Sequence, residues 1–123
     1  MNEPMNKPWL YLQKRYSESI ATPNDSDLAA AANELFDETL PMMTEADYSE
    51  HGTAHLRLGY DSGPMYVIEV TRLGEAIFEE WADQDYENEI CPPRSLRVTK
   101  QEAITLWKML KENRIEDLRR AFA

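Results

Sequence analysis

Apolar residues along this chain change their spacing several times, and each change marks an element. Trp9 to Tyr16 reads as a first strand, with Trp9 and Tyr11 on one side and Leu10 and Leu12 on the other. Leu28, Ala31, Ala32, Leu35, Phe36 and Leu40 then recur at helical spacing, behind N-cap candidates Asn24, Asp25 and Ser26, until Pro41 stops the run. Thr53 to Tyr60 alternates cleanly: Ala54, Leu56, Leu58 and Tyr60 oppose Thr53, His55, Arg57 and Gly59, as a half-buried strand requires. Asp61-Ser62-Gly63-Pro64 turns the chain into a second strand, Met65 to Thr71. Arg72-Leu73-Gly74 forms a short hairpin loop into a third, Glu75 to Ala82. Three antiparallel strands in a meander result.

Beyond Trp81 the alternation dissolves into Asp83-Gln84-Asp85-Tyr86-Glu87-Asn88-Glu89, and Cys91-Pro92-Pro93 is expected to keep regular structure from continuing. A short strand is expected at Leu96 to Val98. Thr99-Lys100-Gln101-Glu102 is a capping box, and it starts a helix with Ala103, Leu106, Trp107 and Leu110 on one face. Asn113 separates it from a short helix over Ile115 to Phe122. The order of elements predicts one α+β domain: an antiparallel sheet of about four or five strands with helices packed on one face. On the opposite face Arg57, Glu69, Glu75 and Glu79 share parity with Met65, Val67 and Ile77, an apolar stripe within an acidic surface.

Composition changes this picture through charge. From Glu18 to Pro93 the chain carries eighteen acidic residues against Arg57 and Arg72, a balance of −16, while residues 1–17 sum to +2 and residues 94–123 to +4. Like charges held this close cost folding free energy, so their retention points to a positive partner or a need for solubility. With 42% hydrophobic residues, three Trp and six Tyr, the acidity belongs to a folded chain. Neither a signal-like segment nor an apolar run of membrane-spanning length is present, so the expected location is the cytoplasm, with no membrane partner. Direct nucleic-acid binding is disfavoured because the central span would repel phosphates.

Candidate chemistry is sparse. His51 and His55 have the spacing of two zinc ligands on a helix, but Gly52 and the following strand place them on extended backbone. No metal site is assigned. Cys91 is the single cysteine and lies among Glu87 and Glu89, whose charge disfavours the thiolate a nucleophile needs. Asp83, Asp85, Glu87 and Glu89 resemble a calcium loop until Asn88 and Arg94 fall where the turn Gly and the bidentate Glu belong. The chain also lacks a phosphate-binding Gly-rich loop. No catalytic residue, cofactor or enzymatic activity is therefore expected. The concentration of acids with aromatics is instead read as a partner-binding patch of Glu79, Glu80, Trp81, Asp83, Asp85, Tyr86, Glu87 and Glu89. The competing reading makes the aromatics core and the acids their solvated neighbours.

The segments Trp9-Leu10-Tyr11-Leu12, the helix from Ser26, Gly63 to Val70 and Trp81-Ala82-Asp83-Gln84-Asp85-Tyr86 together give a chain that resembles small acidic bacterial immunity proteins of polymorphic or contact-delivered toxin systems. The resemblance lies in size, acidity and layout. It implies a cognate toxin domain, often basic and active on nucleic acid or nucleotides, blocked by the acidic partner. A secretion adaptor or regulatory binding subunit is the alternative, followed by a small hydrolase using His51, His55 and carboxylates. An exposed apolar sheet face would equally accept a second copy in a homodimer.

Overall fold

A computed structural model describes residues 8–15, 18–37, 52–61 and 63–123. These form β1 (Trp9–Gln13), β2 (Ser19–Ala21), α1 (Asp25–Asp37), β3 (Thr53–Gly59), β4 (Met65–Thr71), β5 (Glu75–Trp81), β6 (Glu89–Arg97), α2 (Lys100–Lys111) and α3 (Ile115–Ala121). The six strands form one sheet in the order β2-β1-β3-β4-β5-β6, every neighbour antiparallel. The α+β class and the β3-β4-β5 meander match the sequence pattern. Against the four or five strands expected, β2 is added at one edge, and at the other the short strand expected at Leu96 to Val98 is a longer one that begins at Glu89.

On one edge the first strand ends at Gln13, and a Lys14 amide to Glu18 carbonyl bond of 2.8 Å turns the chain into the short β2. At the other edge, β6 runs through Cys91-Pro92-Pro93, where irregular chain was expected. Edge position explains the difference. A proline there forfeits no ladder bond on its open side, and register shifts opposite Phe78, Glu80 and Trp81 absorb the local mismatch. The expected end of the first helix, Leu40 and Pro41, lies outside the described residues.

Helices cover one face of the sheet. Leu12, Leu56, Ile68, Val70 and Phe78 meet Leu28, Leu35, Ala103, Trp107, Leu110 and Leu118 in a continuous buried core. The Trp107 indole N–H reaches the sheet backbone and donates to the Ile68 carbonyl at 3.0 Å, so the ring's polar atom is satisfied in the interior. Both long helices begin with reciprocal caps. Asn24 Oδ1 accepts from the Asp27 amide while Asp27 returns a bond to the Asn24 amide. Thr99 and Glu102 do the same for α2. At the β4-β5 turn Gly74 has φ +90°, and a Cβ there would stand 2.9 Å from the Val98 carbonyl oxygen, so glycine fits where a side chain would be strained. Among the described residues, no helix is long and apolar enough to cross a membrane.

Candidate protein-binding face

Strand pairing determines what the face opposite the helices displays. Trp9, Gly59, Met65 and Trp81 align across four strands; the next outward-facing row is Tyr11, Arg57, Val67 and Glu79, and the next is Gln13, His55, Glu69, Ile77 and Ser95. One end is therefore aromatic and the middle charged. The Trp9 ring lies directly over Gly59, where a Cβ would come within 2.2 Å of it, and meets Tyr11 at 5.7 Å between centroids. At the other side, Trp81 contacts Tyr86 edge to face at 5.1 Å, and its indole N–H donates to Glu79 Oε1 at 2.9 Å. No described helix lies on this face.

The loop from Ala82 to Asn88 is organised by one carboxylate. Asp83 accepts from the amides of Asp85 and Glu87 at 3.0 and 3.1 Å and from Asn88 Nδ2 at 2.6 Å. The bond from the Glu87 amide does most to hold its pKa below the ordinary aspartate value, outweighing partial desolvation with help from Asn88 and Asp85. Tyr86 consequently takes a left-handed backbone, φ +61°, that places its ring beside Trp81 while 44% of the residue stays exposed. Asp85, Glu87 and Glu89 point into solvent around it.

Charges divide between the two faces. Most acids of the helical side are paired: Asp37 with Lys100, Asp25 with Lys111, Glu34 with Lys14 of the β1-β2 turn, and Asp117 with Arg114 and Arg120, while Asp27 and Glu102 serve as caps. Glu69, Glu75, Glu79, Asp83, Asp85, Glu87 and Glu89 make no ion pair among the described residues. Among the described residues, acids without ion pairs concentrate on the outer sheet face and the β5-β6 loop.

Glu80 requires a correction. Expected on the binding patch, it is 1% exposed and turned toward the helices, where Arg119 contacts it at 2.7 Å and Arg94 closes on its other oxygen. Alternation along β5 places it there, opposite in parity to Glu79 and Trp81. Burial alone would raise its carboxyl, but hydrogen bonds from Arg119 and Arg94, reinforced by both charges, hold it below the ordinary glutamate range. Its role is to tie α3 and β6 to the sheet. The remaining predicted residues, Glu79, Trp81, Asp83, Asp85, Tyr86, Glu87 and Glu89, gather at β5 and the β5-β6 loop.

Pairing across β3, β4 and β5 adds residues that local pattern left scattered. His55, Val67, Glu69, Glu79 and Tyr86 line an open cavity of about 150 Å³. Burial and then the Arg57 charge lower the His55 pKa, leaving its ring neutral at pH 7. Glu69 moves the other way: burial raises its pKa, the Glu79 and Glu75 charges add to the effect, and a Thr53 side-chain bond opposes it. Cys91 lies across the sheet from this cavity, its Sγ 3.8 Å from Glu80, and therefore cannot share an ion with His55. His51 lies outside the described residues. Among the described residues no group of three metal-ligating side chains converges. Compared with known proteins, the chain matches no family model, no curated protein and no solved structure.

Proposed function

We propose that this chain is a noncatalytic protein inhibitor of the small acidic immunity class, which binds a basic toxin domain in the cytoplasm through its outer sheet face and β5-β6 loop. One observation carries the reading: carboxylates without ion pairs among the described residues surround an aromatic pair, Trp81 and Tyr86, on the side of the sheet away from the helices. Such a surface supplies both parts of a tight interface. Aromatic anchors contribute desolvation energy, and the uncompensated charge accelerates encounter with a cationic partner. Asp83 has a separate duty within the loop, so the field is best altered at its neighbours.

The test is coexpression with the toxin encoded beside it. Protection of growth, weakened when Asp85, Glu87 and Glu89 are all changed to Lys, is the expected result; a chain that alters toxin delivery without protecting is an adaptor. A second reading rests on the convergence of His55, Glu69 and Glu79 in one cavity, where a neutral base and a carboxyl of raised pKa would suit a small hydrolase. Stoichiometry separates the two. An inhibitor protects only when it equals or exceeds the toxin in amount, whereas a hydrolase protects at catalytic doses and loses that protection in His55→Gln.

A further inference from the structure

We infer that the cavity between β3, β4, β5 and Tyr86 is a receptacle for a single arginine side chain presented by the bound protein. At about 150 Å³ it lies below the ~300 Å³ at which metabolite-sized sites begin, which favours one side chain over a free cofactor or nucleotide. Its walls divide by chemistry. Val67 offers an apolar floor for methylenes, Tyr86 an aromatic ring, and Glu69 and Glu79 two carboxylates from adjacent strands.

A planar guanidinium has five N–H donors and can bridge two carboxylates while stacking on an aromatic ring; an ammonium is a compact point charge that cannot span them in this way. Glu79 is already oriented. Its Oε1 is engaged by the Trp81 indole, which leaves Oε2 for a ligand without a conformational search. Glu69 stands beside this second anion and is half-buried, so an arriving cation relieves a repulsion already present in the free protein. Arg57, on the same face, does not relieve it: it forms no ion pair among the described residues, and its buried Nε lacks a hydrogen-bond partner there. His55 faces the cavity as a neutral ring and adds no opposing charge at pH 7.

This inference rests on the inhibitor reading only for the identity of the protein that donates the arginine. Its test reads the cavity directly, by NMR titration of the whole chain with acetyl-Gly-Arg-Gly-amide, acetyl-Gly-Lys-Gly-amide and free arginine. The arginine tripeptide should give saturable shifts at Val67, Glu69 and Tyr86 with millimolar affinity, the lysine tripeptide weaker ones, and free arginine weaker ones because its own carboxylate meets the acidic rim. Glu69→Gln and Glu79→Gln should each weaken binding about tenfold, the loss of one charge-assisted bond, while Asp37→Asn on the helical side leaves it unchanged. Unperturbed resonances of the helical layer will show that each variant is folded. Three results would overturn the assignment: no saturable shift with the arginine tripeptide, equal affinity for the lysine tripeptide, or tighter binding of free arginine, which would make the cavity a small-molecule site. Failure of growth protection alongside successful titration would reject the inhibitor reading and leave the receptacle standing.

Discussion

Replacing Glu80 tests whether the buried ion cluster holds the last helix to the sheet. The carboxylate is 1% exposed and meets Arg119 through both oxygens, at 2.7 to 3.3 Å, and Arg94 through one. Removing one partner from a buried pair costs about 3–5 kcal/mol. Arg94 and Arg119 keep 27% and 38% of their side chains exposed, so each can recover hydration once released. Glu80→Ala should therefore fall at the lower end, about 3 kcal/mol, which for a chain of this length lowers the melting midpoint by roughly 10 °C. Glu80→Gln retains volume and an acceptor and should lose about half as much.

The pH dependence has a definite sign. A carboxyl whose folded pKa is depressed stabilises the fold fully above its ordinary value of 4.5 and loses that contribution as pH falls through the lowered value. Urea midpoints of wild type and Glu80→Gln should differ at pH 7 and converge in strong acid. Equal midpoints at pH 7, or a gap that persists after acidification, would refute the argument that the charged form of Glu80 is what clamps α3.

Other elements give separate readouts. Thr99→Ala removes half of a reciprocal cap and should cost about 1 kcal/mol in urea unfolding, with binding unaffected. Gly59→Ala drives a Cβ into the Trp9 ring, so tryptophan emission should shift and stability fall by about 1–3 kcal/mol as in other overpacked sites. Asp83→Ala removes the acceptor that gathers three donors in the β5-β6 loop; the near-ultraviolet dichroism of the Trp81-Tyr86 pair should collapse while the global melting midpoint holds. An unchanged aromatic signal would show that Tyr86 reaches Trp81 without help from the loop.

Much of this architecture is legible in short-range pattern because its causes are local. Alternation in Thr53 to Tyr60 and the hairpin chemistry of Arg72-Leu73-Gly74 produce the central strands, and Thr99 with Glu102 starts α2 as the capping pattern requires. The same alternation, followed along β5, separates Glu80 from Glu79 and Trp81, yet counting acids and aromatics by proximity in sequence joins them into one patch. What local pattern cannot supply is register. His55, Glu69 and Glu79 become neighbours only because β3, β4 and β5 pair as they do, and the course of β6 through two prolines depends on its being an edge.

Charge segregation in the chain acquires its meaning only in three dimensions. The basic C-terminal segment folds back so that Lys100 and Lys111 meet α1 and Arg94 and Arg119 close on Glu80, which pairs most acids of the helical side from within. The outward-facing acids of β4 and β5 and those of the β5-β6 loop are left without such partners among the described residues, and their field persists beyond the surface over a screening length of about 8–10 Å at physiological salt. Their repulsion is a continuing cost to the fold; hydrogen bonds within the loop offset part of it at Asp83, but no ion pair among the described residues relieves the rest. A cation-rich partner would, and its capture should slow steeply as added salt shortens that length; an association rate indifferent to salt would mean that the aromatic anchors act without electrostatic steering.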